Sequence, residues 1–525
     1  MNTREDARTW GGEDRQLTLV TRNLSTRYLA IGVDGVIGLM LMPFNVSHLG
    51  QSAYGLWALT TSITMYFSVL DLGYGGSLVK FVAQYRAWRD RQALNEILST
   101  MFVVFTVVGL VTFLVTAGIA WQFGRLFSVT GDQVRTGQHL LLVTGSYIAF
   151  RFAASIFGAV VFGFQRFYLN NLISVASSIV IAVVNVLVLN GGADLVTLVI
   201  ATTSVRVLTL GAFVTTGYLV YPGLQVTTRL FRRSRLREVT GFSIYILVLD
   251  WSAKLNYSTD ALVIGAMLNT SAVAVWTVGQ RIAQICQQLA IQLSGSLFPF
   301  VVDSDAAGRG DRLGAVLMHG TSLSLAFAVP VCTGLSILAG PVVQAWMGPN
   351  FHASAVVLQL LLAIVLVRVA NATANMILKG TGQHRLLAFT NAGTAITNIL
   401  LSIVLIRPMG LAGVALGTLL PVLTTSAFVL FPSACARVGV PVGTAFRIAV
   451  WPAIWPAAGL IAVIWAGRPL AGSTLFGLAA LLVVAGSIYV ALFLGVAISR
   501  GERRVYWSKL MQLAGRGWRA PAAAA

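Results

Sequence analysis

The sequence predicts an all-α polytopic membrane protein with about 14 transmembrane helices. Three observations lead there. The 525 residues are 57% hydrophobic and only 10% charged, where a soluble domain carries about 25% charged residues. The apolar residues fall into runs of about 20, the length a helix needs to cross a bilayer. The basic residues fall mostly on one side of those runs. Of the 36 Lys and Arg, roughly 26 lie in the termini and alternate gaps, roughly 4 on the other side and about 6 inside spans, which is the positive-inside pattern.

The expected elements follow in order. Residues 1–23 are polar, with no short apolar region or cleavage site, and read as a cytoplasmic tail rather than a signal peptide. Spans one to six are expected over 24–47, 52–74, 98–121, 139–163, 172–190 and 195–220, an N-lobe over 24–220. Lys80, Arg86, Arg89 and Arg91 follow span two. A basic linker, 221–239, carries Arg229, Arg232, Arg233, Arg235 and Arg237. Spans seven to twelve are expected over 241–268, 272–300, 315–340, 355–378, 386–406 and 411–435, a C-lobe over 240–435. Spans thirteen and fourteen, 448–467 and 474–497, lie within 436–497. In the tail, 498–525, Trp507, Leu510, Met511, Ala514 and Trp518 recur at helical spacing among Arg503, Arg504, Lys509 and Arg516. That pattern reads as an amphipathic helix on the cytoplasmic face. Helices are required because lipid offers backbone groups no partner.

Residues 52–82 align without a gap to 271–301. Ser52, Ala53 and Trp57 match Ser271, Ala272 and Trp276, and Gly76-Ser77-Leu78 matches Gly295-Ser296-Leu297, with about ten identities in all. After a slip of one or two residues, Arg89-Asp90-Arg91 resembles Arg309-Gly310-Asp311-Arg312. Asn185 and Asn398 suggest a second echo. The unit is six spans, an even number, so the two copies should be parallel repeats related by an axis along the membrane normal.

Ionisable residues inside spans cost about 2.5–3.5 kcal/mol each and usually line polar cavities. The candidates are Arg27, Asp34, Arg151, Arg206, Asp250, Lys254, Asp260, Arg281 and Arg368, with Asp71 at the boundary of span two. Arg27 and Asp34 share one helix face about 10 Å apart. Asp250 and Lys254, four apart, can pair and neutralise each other. Arg27 and Arg151 can instead snorkel to the headgroups. Arg206, Arg281 and Arg368 lie deeper, either in a cavity or in hydrogen bonds between helices. The cationic surplus favours an anionic passenger, and phosphate suits Arg through bidentate hydrogen bonds.

The net charge of +19 is assigned to topology and anionic lipid headgroups rather than nucleic acid. Cys286, Cys332 and Cys435 show neither a CxxC pair nor metal spacing. No P-loop or HExxH motif occurs, so neither a cofactor nor a metal is expected and no catalytic role is assigned. Transport energy would come from an ion gradient, the membrane potential or the substrate gradient. The far-side loops, the longest at about 122–138 and 341–354, are too short for the catalytic domain of a membrane glycan polymerase or glycosyltransferase.

LDLGYGGSLVKFVAQYRAWRDRQALNEI (70–97), STDALVIGAMLNTSAVAVWTVGQRI (258–282), WMGPNFHASAVVLQLLL (346–362), KGTGQHR (379–385) and GLAGVALGTLLP (410–421) occur in that order. Together they resemble the bacterial polysaccharide-biosynthesis flippases of the multidrug/oligosaccharidyl-lipid/polysaccharide exporter superfamily. The resemblance covers nearly the whole chain. It implies two six-helix lobes around a central cavity, plus two C-terminal helices, in the bacterial inner membrane with both termini cytoplasmic. It implies flipping of a polyprenyl-pyrophosphate-linked oligosaccharide by alternating access. It favours Arg27, Asp34, Asp250, Lys254, Asp260 and Arg281 as cavity residues, with Asp71, Arg151, Arg206 and Arg368 secondary. The partners are then an anionic lipid-linked glycan, membrane lipids, a coupling ion (Na+ or H+) and other polysaccharide-assembly proteins. A cation-coupled drug antiporter and a lipid II flippase stand as alternatives.

Overall fold

A computed structural model describes residues 3–67, 74–240, 259–295, 298–498 and 503. Every regular element among them is helical. Ten of these helices are long and apolar enough to cross a membrane. The chain divides into two compact units, Met1–Thr277 and Val278–Ala525.

The first unit contains α1 (Thr3–Leu49), α2 (Gln51–Tyr66), α3 (Tyr74–Trp88), α4 (Arg91–Trp121), α5 (Gly131–Gly163), α6 (Phe167–Asn190) and α7 (Leu195–Val220), and it includes the first residues of α8 (Thr270–Gly295). α4 and α5 form an antiparallel hairpin. An added Cβ at Gly109 would stand 2.5 Å from the Ala149 carbonyl, and one at Gly145 would stand 2.7 Å from the Thr116 side chain. Glycine therefore sets how closely the two backbones approach, as expected where lipid removes the hydrophobic drive for helix association. α1 and α6 run parallel. Tyr168 donates its backbone N–H to Asn23 Oδ1, Asn171 Nδ2 donates to Thr26 Oγ1, and Ser178 Oγ donates to Asp34 Oδ1. The sequence separation is near constant at 145, 145 and 144. Tyr74, Leu78, Phe81, Leu94, Met101, Phe105 and Phe157 build the core at one end of this unit.

The second unit holds the rest of α8, then α9 (Gly310–Ile337), α10 (Ala353–Ala370), α11 (Ala372–Gly380), α12 (His384–Val438), α13 (Val442–Ala471) and α14 (Leu475–Ala497). α12 contains two of the expected spans. At Gly410 the backbone takes φ 56 and ψ −133, which a helix cannot accommodate, and the chain reverses. Thr394 bonds Thr425, Thr418 bonds Asn398 and Ser402 bonds Val414, as in an antiparallel hairpin. Gly413 and Gly417 let its arms touch; a Cβ on Gly417 would stand 2.5 Å from Ser402 Oγ. Before Pro432 and Pro452 the chain widens into single π turns, Ser426–Leu430 and Phe446–Val450. Proline has no N–H to donate and its ring displaces the carbonyl four residues back. Leu325 and Val329 of α9 pack with Leu460 of α13 and Leu478 and Ala485 of α14.

The repeat extends beyond the matched sequence. α2 begins at Gln51 and α8 at Thr270; α4 begins at Arg91 and α9 at Gly310, the same offset. The left-handed residues pair at similar separations: Arg89 with Gly308 at the same offset, Gln165 with Gly382 two residues short of it, and Gly192 with Gly410 one residue short. The register therefore holds through the turn after α3, and the slip suggested by the charged triplet does not occur. Asn185 corresponds by the 219 offset to Val404 and by the 217 that separates Gln165 from Gly382 to Ser402, so at neither offset do Asn185 and Asn398 align. α5 starts at Gly131 and a short helix covers Ala339–Met347, so both expected far-side loops are shorter than anticipated. Part of span two, 68–73, most of span seven and the amphipathic tail lie outside the described residues. The count of fourteen is thus only partly visible.

Candidate functional site

Arg27 and Asp34 both lie exposed on α1. The α1 and α6 contacts hold this segment firmly. Asn23 Nδ2 donates to the Gln165 carbonyl, and the Arg22 guanidinium stacks 3.7 Å over the Tyr168 ring. Ser178 Oγ reaches Asp34 at 2.6 Å. The carboxylate is thereby oriented by a neighbouring helix while still accessible.

Asp260 is buried. It follows Thr259, whose hydroxyl meets the Tyr66 hydroxyl of α2, and it lies close enough to Tyr66 for their charges to interact. Residues 259–267 are helical, so Asp260 stands roughly 12 Å below the turn that precedes α8. Arg151 and Arg206 are exposed on α5 and α7. Arg206 is near mid-helix beside Leu208, which is 75% exposed.

Within the second unit, Arg281 on α8 is half-buried. Arg368 on α10, also half-buried, donates through Nη1 to Gln287 Oε1 at 3.3 Å. That contact crosses from α10 to α8. Asp34, Asp260, Arg281 and Arg368 all have interaction partners. Asp71, Asp250 and Lys254 lie outside the described residues. The first unit joins Arg27 and Asp34 on one face and places Asp260 against α2.

The structure adds a cluster that sequence reasoning missed. Glu96 is 7% exposed near the start of α4. It accepts from Arg235 Nε at 3.2 Å and Gln92 Nε2 at 3.1 Å, with Arg232 Nε 3.8 Å away. Arg235 Nη1 also donates to Tyr85 Oη at 2.8 Å and Glu238 Oε2 at 3.3 Å. Tyr85 Oη in turn donates to Glu238 Oε1 at 2.7 Å. Burial first, and then its bond to Glu238, push the Tyr85 phenol up to about 12. Desolvation pulls the Arg235 guanidinium down, but Tyr85, Glu238 and Glu96 outweigh it and leave it raised.

Beside this cluster the linker is stitched to α4. Asn95 Nδ2 donates to the Gly223 carbonyl, and Asn95 Oδ1 accepts from Gln225 N. Ser99 Oγ donates to the Gln225 carbonyl and accepts from Thr227 N; Thr100 Oγ1 accepts from Arg232 N. The basic linker is therefore a fitted segment rather than a tether. Its signal in the sequence is the polar stripe Asn95, Glu96, Ser99 and Thr100, one helix face with spacing i, i+1, i+4, i+5. Among the described residues no group of three or more His, Cys, Asp or Glu is placed to hold a metal ion.

The description "Polysaccharide biosynthesis protein" matches residues 20–304. The probable flippase AglR of Haloferax volcanii is 23% identical over 390 residues, 73% of this chain and 77% of the relative. The uncharacterized membrane protein EpsK of Bacillus subtilis is 25% identical over 417 residues, 75% of this chain and 79% of the relative. Among solved structures, the lipid II flippase MurJ in an inward closed conformation superposes with a TM-score of 0.68. It has 15% identity and covers 91% of this chain and 98% of its own. An inward-facing multidrug resistance MATE family transporter of the MOP superfamily gives 0.62 at 14% identity, covering 78% and 94%. The fold is shared with both transporter types, and the match over 20–304 spans more than half of the chain: this multi-pass membrane protein belongs to the polysaccharide biosynthesis protein family.

Proposed function

We propose that the chain is a flippase. It carries a polyprenyl-pyrophosphate-linked oligosaccharide from the cytoplasmic to the outer leaflet of a bacterial plasma membrane, for cell-surface polysaccharide biosynthesis. The observation that carries this reading is the family match over 20–304, joined by a relative named a flippase that aligns over 73% of the chain. The surplus of cations inside the spans supports an anionic headgroup. Both termini and the 221–239 linker are cytoplasmic in this reading.

The lobes 24–220 and 240–435 enclose a cavity and alternate its access. Arg27, Lys254 and Arg281 hold the pyrophosphate by charge-assisted hydrogen bonds, each worth about 1.5–3 kcal/mol. Asp34, Asp250 and Asp260 keep the cavity from binding its passenger too tightly, and one of them takes the coupling Na+ or H+. Release needs such a balance, because a site that binds both states equally well moves nothing.

The test is surface glycan in cells whose only copy carries Arg281→Ala or Lys254→Ala, with protein levels matched by immunoblot. Loss of glycan in both variants is expected. Normal glycan in both would sink the assignment of these residues, and cation-dependent dye efflux by the wild type would favour the antiporter instead.

A further inference from the structure

The first unit has a second polar site, at the end opposite the Glu96 cluster. From Glu96 to its end at Trp121, α4 separates the two by about 38 Å. A cavity of about 630 Å³ opens there, lined by Ser52, Arg125, Thr130, Gln133, Asn269 and Ser271 among others. That volume lies within the roughly 300–1,000 Å³ typical of small-molecule sites.

Its rim is built from three chain segments joined by side chains. Gln133 Nε2 donates to Ser52 Oγ at 2.6 Å, Ser52 Oγ meets Thr270 Oγ1 at 3.0 Å, and Thr270 Oγ1 reaches Gln133 Oε1 at 3.4 Å. Ser128 bonds the Gly265 carbonyl through its N–H and the Ala266 carbonyl through its hydroxyl. Gln51 Nε2 donates to the Ser271 carbonyl, and Asn269 Oδ1 caps Ala272 N. The walls are thus pre-organised, which lowers the ordering cost of binding.

The lining chemistry is specific. It combines hydroxyls and amides, which both donate and accept, with a single guanidinium, Arg125, the apolar side chains of Leu126, Phe127 and Val129, and no carboxylate. Neutral hydroxyl-rich ligands match such a mixture. A phosphate would call for several cations, and an apolar chain would make no use of hydroxyls and amides that can each accept or donate a further hydrogen bond.

We propose that this pocket is a carbohydrate subsite, which takes sugar rings of the glycan at the outer face as they emerge, with Arg125 donating to ring hydroxyls. The inference rests on the flippase reading and adds to it a site for the sugar.

The test uses the purified full-length protein in lipid nanodiscs and two probes: the lipid-linked oligosaccharide extracted from the host cells, and undecaprenyl pyrophosphate without sugar. Affinities are read by native mass spectrometry. Arg125→Ala removes the one cation. Thr130→Trp fills the pocket, and costs no helix cap because the Thr130 side chain makes no capping bond. Both residues are exposed and lie outside the rim network, so folding should survive. The wild type should prefer the glycan-bearing probe, and each variant should lose about tenfold for that probe alone, the size of one lost hydrogen bond. Variants that bind both probes as the wild type does, or lose both equally, would overturn the subsite and leave the flippase reading intact. A wild type that binds neither probe would overturn both.

Discussion

Replacing Glu96 with Ala should release the linker from α4 without unfolding the unit. Glu96 bonds Arg235 at 3.2 Å with side-chain exposures of 10% and 25%, and it stands 3.8 Å from Arg232, which is 52% exposed. A charge-assisted bond in such a partly buried setting is worth about 1.5–3 kcal/mol, and the half-exposed Arg232 pair adds less than about 1 kcal/mol. Arg235 keeps Tyr85 and Glu238 as partners, so the variant leaves no unpaired charge. The net loss is about 2 kcal/mol, or roughly 30-fold in the opening equilibrium of the linker. Hydrogen exchange in nanodiscs reads this directly. The amides of Gln225, Thr227 and Arg232, which donate to Asn95, Ser99 and Thr100, should exchange about 30-fold faster. Peptides across 263–272 should not change. Unchanged exchange over 223–232, or equal acceleration in both regions, would refute the clamp.

Other outcomes follow from the same contacts. Gly417→Leu forces a side chain against Ser402 and should lower stability by about 3 kcal/mol, read as a drop in melting temperature in detergent; Gly393→Ala, where no atom lies within 4 Å, is the control and should melt no lower than the wild type. The clamp should also loosen at high pH. Because Tyr85 is raised from 10.0 to about 12, its contribution is complete below pH 10 and is lost as pH climbs toward 12, and Tyr85→Phe should abolish that dependence in linker exchange. Asp194, exposed before α7, accepts from Thr197 N at 3.0 Å, and bonds from Thr197 hold its carboxyl below the ordinary value. Asp194→Ala should therefore cost about 1 kcal/mol of local stability at neutral pH. The wild-type advantage should fade as pH falls below about 4, and equal exchange of residues 195–199 in both proteins at pH 7 would contradict the cap.

The membrane class and most spans were readable because lipid imposes a length and a composition on each helix, and the positive-inside bias marks its ends. The repeat was readable where Trp57 and Trp276 match. Its full extent was hidden because the backbone repeats where the residues do not: Arg89 and Gly308 share a left-handed turn with no side chain in common. The reversal at Gly410 was legible as a short gap between two apolar runs. The linker clamp was not, since Glu96 and Arg235 are 139 residues apart and only the fold brings them together. Hydropathy also finds charges in spans without saying what they meet. Arg368 meets Gln287, whereas Asp34 meets Ser178 and stays accessible.

The most direct measurement of the central claim is transbilayer movement in proteoliposomes. Host-extracted lipid-linked oligosaccharide would be placed in both leaflets, and a lectin added outside would report the fraction that becomes accessible over time. The wild type should render nearly all of the glycan accessible, while Arg281→Ala leaves the inner-leaflet half protected. A wild type that leaves that half protected, under an ion gradient of either sign, would contradict the account.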